Sequence, residues 1–261
     1  MVVAGGRIGG VLAQETGAWT KGMIQVGGTT CLESAVRALR ACPRIDKVAV
    51  VCDPGLRARV EHLEVDVWVH ERPRGFENFY VAFHYLPRDR PALLCVSDMP
   101  FAHLGKLERL LEACDTDAAV HYALTREEDF RRYFPGSSRR FVPMREGRFT
   151  AAGIAVVDPV RFPATEDTFR RLFQSRKNTL PMALKLGAGF LLRRVLGTLT
   201  IAEVEGRLSD IVEVTLRAVP CGDAHFTFDV DTVADYRYAL GWLNERSNPE
   251  AASVATEDPS S

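Results

Sequence analysis

The sequence predicts an α/β fold: one domain whose mostly parallel sheet is covered by helices, with a helical insertion late in the chain. Apolar runs of strand length alternate with segments of helical period, the pattern of β–α units around a parallel sheet. The 261 residues are 46% hydrophobic and 26% charged with a net charge of −1, so the chain can bury one large core and has the composition of an ordinary soluble globular protein. From 166 to about 210 the period is mostly helical, and strand-like runs resume afterwards, so that stretch reads as an insertion or subdomain.

Residues 1–4 form a short strand running into Gly5-Gly6-Arg7. A parallel strand usually has about five or six residues, so a start upstream that adds a few apolar residues is expected. Residues 30–41 read as a helix with Leu32, Ala35, Val36 and Leu39 on one face. Thr30-Cys31-Leu32-Glu33 fits a capping box, in which a hydroxyl and a carboxylate satisfy free amides at the helix start. Residues 47–52 are a β-rich run ending in the turn Asp53-Pro54-Gly55, followed by a strand at 65–69 and a helix at 76–86. Ala92–Val96 leads to Ser97-Asp98-Met99-Pro100; a helix at 104–113, a strand at 118–124 and strands near 140–144 and 154–157 continue the pattern. After the helical block, 212–219 and 225–230 read as strands and 233–243 as the last helix, so 1–245 is one domain. Residues 246–261, with Asn, Pro, Ser and Glu and almost nothing large and apolar, read as a disordered tail.

The charge balance disfavours a broad nucleic-acid surface. The longest apolar run, near 188–192, is far short of the roughly 18 to 20 residues a membrane span needs, and no basic segment precedes a hydrophobic signal stretch. A cytoplasmic protein with no membrane partner is expected. Cysteines at 31, 42, 52, 95, 114 and 221 form no C-x-x-C pair and have no closely spaced His partner, so they read as reduced thiols, Cys52 and Cys95 as small buried hydrophobes.

Three constellations can carry chemistry. Gly5 and Gly6, with Gly9 and Gly10 close behind, let the backbone take positive φ so that successive amides surround a phosphate, and Arg7 and Lys21 bracket that loop. Neither the G-x-G-x-x-G nor the P-loop spacing is present, and a flexible surface loop with two solvated charges is the other reading. Asp98 follows an apolar strand, at the edge where open α/β sheets carry ligands, or else forms a turn there. In Asp229-Val230-Asp231, residues two apart on an extended segment face one side and two carboxylates can meet one cation; alternatively Asp231 is the N-cap of the last helix.

Together, Ala4-Gly5-Gly6-Arg7, Lys21-Gly22-Met23-Ile24-Gln25-Val26-Gly27-Gly28, Val96-Ser97-Asp98-Met99-Pro100-Phe101 and Phe228-Asp229-Val230-Asp231-Thr232 with Asp235-Tyr236 resemble the MobA-like NTP transferases. That group includes molybdenum-cofactor guanylyltransferases and related cytidylyl- and sugar nucleotidyltransferases. The likeness runs from Met1 to about Leu240 and is weakest in the helical block.

The resemblance implies a single Rossmann-like three-layer domain with a mixed, mostly parallel sheet of the nucleotide-diphospho-sugar transferase type. It implies a Mg²⁺-dependent nucleotidyltransferase that moves an NMP from an NTP to a phosphate-bearing or other small acceptor and releases pyrophosphate. Ala4, Gly5 and Gly6 would line the nucleotide, Arg7 would hold the β- and γ-phosphates, and Lys21 would stabilise charge on the α-phosphate. Asp98 would be the principal Mg²⁺ ligand and Asp231 the second, with Asp229 as an extra carboxylate where the family usually has Asn. Gly75 and Asn78 would contact base or ribose beside Glu77, and Thr150-Ala151-Ala152-Gly153 would line the acceptor, here without the family's Asn.

Two departures stand beside these matches: the loop from Gly6 to Lys21 is long, and residues 9–16 lack the basic residue the family carries there. A glycosyltransferase of related fold using a nucleotide-sugar and a catalytically degenerate nucleotide-binding protein are the alternatives, and a homodimer stands open. Arg139-Arg140 and Arg176-Lys177 are acceptor contacts or solvated faces, while His70, His84, His103, His121 and His225 read as packing or surface residues.

Overall fold

The computed structural model describes residues 1–114, 117–175, 189–190, 193 and 196–247. Along them run strands β1 (Val2–Val3), β2 (Gln25–Val26), β3 (Thr29–Thr30), β4 (Ala49–Cys52), β5 (Val67–His70), β6 (Ala92–Val96), β7 (Val120–Arg126), β8 (Val142–Met144), β9 (Gly147–Val157) and β10 (Leu216–Val219). The helices are α1 (Gly10–Thr16), α2 (Cys31–Ala41), α3 (Pro54–Arg59), α4 (Asn78–Val81), α5 (Glu108–Ala113), α6 (Glu127–Tyr133), α7 (Glu166–Ser175), α8 (Ile201–Val212) and α9 (Val233–Ser247). None of the described helices is long and apolar enough to cross a membrane.

The main sheet has the order β10-β7-β9-β6-β1-β4-β5, with β8 paired to β9, while β2 and β3 form a separate hairpin. Pairing is parallel except along β9, which runs antiparallel to β6, β7 and β8. The register places Val3 beside Val96 on two parallel strands, so the residues two further on, Gly5 and Asp98, emerge at the same carboxyl edge. Alternate side chains serve opposite faces. Val2, Val50 and Cys95 pack on one side with Leu32, Leu39 and Met99, whereas Val3, Val51 and Leu94 pack on the other with Phe76, Phe83 and Val212. The three layers follow from that division.

A third cluster, built from Phe101, Phe130, Phe134, Phe228, Val230 and Trp242, fastens α9 and the segment before it beside the Asp98 loop. Phe101 stacks on Phe134 with centroids 5.5 Å apart, and the Val230 amide donates to the Asp98 carbonyl at 3.0 Å. This cluster overturns the strand expected at 225–230. Asp223 caps a 3-10 turn at Ala224–Phe226; Phe228 and Val230 feed the aromatic cluster and Phe226 the core under the sheet, and none of them enters a strand.

Other boundaries shift for local reasons. Thr30 Oγ1 accepts from the Glu33 amide at 3.1 Å, but the Glu33 carboxylate pairs with Arg37, so only half of the expected box forms. Asp53-Pro54-Gly55 opens α3: Asp53 Oδ1 accepts from the Gly55 and Leu56 amides, and Pro54 needs no donor at the first helical position. The long loop from Gly6 to Lys21 contains α1, which ends at Gly17 with φ 65°. The helix expected at 76–86 is three short pieces, and α6 follows β7 where no helix was expected. In place of a strand over 212–219, α8 runs to Val212, Glu213 ends it with φ 61°, and β10 is confined to Leu216–Val219. The last helix extends to Ser247, beyond the expected 243 and into the stretch read as tail. Residues 176–188, with Arg176 and Lys177, most of the 188–192 run and the tail from 248 onward lie outside the described residues.

Candidate active site

Lys21 begins a 3-10 turn whose next residue, Gly22, is buried so close to the end of β6 that a Cβ there would lie 3.2 Å from Ser97 Oγ. This close approach brings the Lys21 ammonium to Asp98. Lys21 Nζ donates to Asp98 Oδ2 at 2.9 Å and also to Asp231 Oδ1. Burial alone would depress the lysine pKa, but Asp98 and Asp231 outweigh it and hold the ammonium well above its ordinary value. The other Asp98 oxygen, Oδ1, is buried and has no hydrogen-bond partner. A buried acceptor without a protein partner is costly, and a bound ion or water is what ordinarily satisfies it.

The resemblance implies Mg²⁺, and the residues present fit it. Mg²⁺ is usually held by one or two carboxylates plus substrate phosphates, not by a cage of protein ligands. Among the described residues no group of three His, Cys, Asp or Glu side chains gathers as such a cage. Asp98, with its open oxygen, and the exposed Asp231 supply the two carboxylates.

Ala4 is anchored by its amide to the Val51 carbonyl at 2.9 Å, and Gly6 takes φ 102°. The Gly6 amide donates to Glu71 Oε2 at 3.3 Å, and a Cβ on Gly5 would stand 2.5 Å from that oxygen and 2.7 Å from Asn78 Nδ2. Gly5 is required by this crowding and Gly6 by its φ. Asn78 is buried; it accepts from the Arg72 amide at 2.6 Å, which holds the 71–72 segment beside Gly5. Gly75, at the start of a 3-10 turn, is exposed and approaches none of these residues. Arg7 is largely exposed, with Nη2 3.7 Å from Asp53 Oδ2, and its backbone pairs with Thr20. The loop is steadied from outside by Arg59 over the Trp19 ring and by Arg237 on Glu15 at 2.9 Å.

Asp229 and Asp231 do not face one cation, contrary to the expectation from their spacing. Asp231 turns to Lys21, whereas the Asp229 carboxylate accepts from Arg139 Nη1. Burial raises the Asp229 pKa, and Arg139 opposes that rise. Arg139 also donates from Nε to Thr150 Oγ1 at 3.2 Å and from Nη2 to the Ala151 carbonyl at 2.9 Å. Nor is Asp231 the cap of the last helix: Thr232 Oγ1 accepts from the Asp235 amide at 3.2 Å, and Asp235 Oδ2 accepts from the Thr232 amide at 2.9 Å. The Asp231 side chain is thereby left for the site. Gly153 presses β9 onto the Asp98 loop, since a Cβ there would meet Met99 Sδ at 2.5 Å and Val96 Cγ2 at 2.6 Å.

Sequence reasoning missed Glu71 and Asp53, and it read Arg139 as an acceptor contact or a solvated face without its pairing to Asp229. The position of Glu71 directly after β5, on the same edge as Gly5, was the available signal; the ninety-residue separation of Arg139 from Asp229 offered none. His103 bonds Ser34, and His225 bonds Asp223, as packing groups. A cleft of about 450 Å³ lined by Arg44, Arg88, His121 and Val157 lies at the other end of the strands and shares no residue with this constellation.

The mostly parallel mixed sheet, with a glycine turn, a lysine and two carboxylates at its carboxyl edge, has the nucleotide-diphospho-sugar transferase fold. Residues 1–143 match the model of the MobA-like NTP transferase domain, and the chain belongs to that family. A hypothetical transferase from Thermus thermophilus superposes with a TM-score of 0.77 at 27% identity, over 90% of this chain and 97% of the other. A CMP:2-keto-3-deoxy-manno-octonic acid synthetase complexed with CTP gives 0.58 at 12% identity, over 94% and 98%. The 4-diphosphocytidyl-2C-methyl-D-erythritol synthase of Anaerococcus prevotii gives 0.55 at 12% identity, over 93% and 94%. The last two likenesses show the fold. No curated protein matches the sequence significantly.

Proposed function

We propose that the chain is a Mg²⁺-dependent nucleotidyltransferase that moves an NMP group from an NTP to a phosphate-bearing or other small anionic acceptor and releases pyrophosphate. The observation that carries this reading is the Lys21 ammonium between Asp98 and Asp231, at the sheet edge that also presents Gly5 and Gly6. In the transfer an acceptor oxyanion forms a bond to the α-phosphorus while the bond to the pyrophosphate oxygen breaks. Such a step needs positioning and charge neutralisation, with no covalent nucleophile, and an ionised acceptor needs no general base.

Each residue then has a task. The Gly6 amide, which here donates to a carboxylate oxygen, offers the same donor to a phosphate oxygen. Arg7 is exposed enough to reach the terminal phosphates, and Lys21 neutralises charge growing on the α-phosphate. Asp98 and Asp231 would hold Mg²⁺, which when bound spreads positive charge over the phosphate oxygens. The cytidine-nucleotide neighbours make CTP the first donor to try, with ATP, GTP and UTP beside it.

The test is pyrophosphate release from each NTP against a panel of phosphomonoester acceptors. Lys21→Ala and Asp98→Ala are each expected to lower turnover by about 10²–10³-fold. A confirmed activity that survives both substitutions rejects the assignment.

A further inference from the structure

Arg139 spends its planar fork on three groups that belong to different parts of the chain: Thr150 Oγ1 and the Ala151 carbonyl on β9, and the Asp229 carboxylate just before α9. Both charged side chains are mostly buried, 21% and 27% exposed, so neither is a loosely solvated surface group. The segment they fasten is held residue by residue. Asp229 goes to Arg139, the Val230 amide to the Asp98 carbonyl, Asp231 to Lys21, and Thr232 to Asp235.

We propose that Arg139 is a positioning residue that locks the 229–231 segment against the Thr150–Ala151 stretch of β9 through its ion pair with Asp229, and that Asp229 is its counter-ion, not a ligand of the divalent cation. The statement about the cation rests on the nucleotidyltransferase reading above; the lock does not.

Charge arithmetic supports the assignment. Asp98 and Asp231 both act electrostatically on Asp229, so three carboxylates share one neighbourhood with two cations, Lys21 and Arg139. Without Arg139, Lys21 alone would face all three. Asp229 is then balanced within the protein, and the two carboxylates that remain, Asp98 and Asp231, are those on Lys21. The same guanidinium ties the segment that carries Asp231 to β9.

Two measurements on the full chain test this. The first is melting of the metal-free protein with Arg139→Gln, Asp229→Asn and the double variant. Removing one partner strands a mostly buried charge, so the Arg139→Gln variant should melt at least about 2 °C below wild type. The double variant should melt no lower than the worse single variant, because the two groups act as a unit. Additive losses overturn the lock. The second is titration with Mn²⁺ alone, followed by the electron paramagnetic resonance signal of the free ion. Asp98→Asn should weaken binding by about tenfold or more and Asp229→Asn by less than about twofold. Arg139→Gln, which frees a third carboxylate, should tighten it by about threefold. An Asp229→Asn loss as large as that of Asp98→Asn makes Asp229 a ligand and overturns the proposal. An Asp98→Asn variant that binds Mn²⁺ like wild type rejects the cation part together with the reading it rests on, and the melting cycle still decides the lock by itself.

Discussion

A single lysine between two aspartates leaves the Lys21–Asp98–Asp231 group one negative charge in excess and one buried acceptor without a partner, which is the feature the proposed Mg²⁺ site rests on. Around it the small residues are set by contact. Gly5→Ala would place a methyl 2.5 Å from Glu71 Oε2, and Gly153→Ala would place one 2.5 Å from Met99 Sδ. Each is expected to cost about 1–3 kcal/mol of stability, measured by urea unfolding, because buried Asn78 in the first case and buried Met99 with Val96 in the second must move. Gly5, Gly6 and Asp98 stood out in the sequence because they follow apolar runs, and Lys21 because it is the basic residue that closes the loop after the glycines. The partners of Asp229 and Asp231 were not legible: identical spacing on an extended segment says nothing of which of them meets an arginine ninety residues away.

Among the elements, the clearest test is the start of α8, where Thr200 Oγ1 accepts from the Glu203 amide at 3.2 Å and Glu203 Oε2 accepts from the Thr200 amide at 2.8 Å. Thr200→Ala should cost about 1 kcal/mol in an unfolding titration. A second test concerns pH. Asp66 Oδ2 accepts from the Val48 amide at 2.7 Å and from Arg40 at 2.6 Å, tying α2 and the start of β4 to the entry of β5. The Val48 amide chiefly, then Arg40, holds this carboxyl below the usual carboxylate range. A depressed carboxylate pKa stabilises the fold above the unfolded value near pH 4, and that contribution disappears as pH falls through the folded value. Between roughly pH 6 and pH 3 the melting temperature of Asp66→Asn should therefore fall less than that of wild type. Strand and helix alternation in the first half was readable because β4 and β6 are uninterrupted apolar runs and valines recur at every second residue into β5. Two elements escaped for physical reasons: α1 is bounded by Gly10 and Gly17, both at positive φ, and 225–230 has the apolar content of a strand but supplies an aromatic cluster.

For the whole molecule, the sheet order does the positioning. Parallel neighbours β1 and β6 deliver the glycine turn and Asp98 to one edge, and the aromatic cluster around Phe101, Phe134 and Trp242 carries Asp231 to the same place from the far end of the chain. Loss of the Phe101 ring, which lies within that cluster and three residues from Asp98, should cost about 3–5 kcal/mol as Phe101→Ala and weaken nucleotide binding with it. The central claim, that these distant segments together form one NTP and cation site, is tested most directly by melting the wild type and Asp98→Asn with each of ATP, GTP, CTP and UTP, with and without Mg²⁺. A ligand at about one hundred times its Kd adds roughly 2.7 kcal/mol, or about 5–10 °C for a chain of this size. The account predicts such a rise with at least one NTP, only with Mg²⁺, and its loss in Asp98→Asn; no rise with any NTP, or a rise that persists in Asp98→Asn, would contradict it.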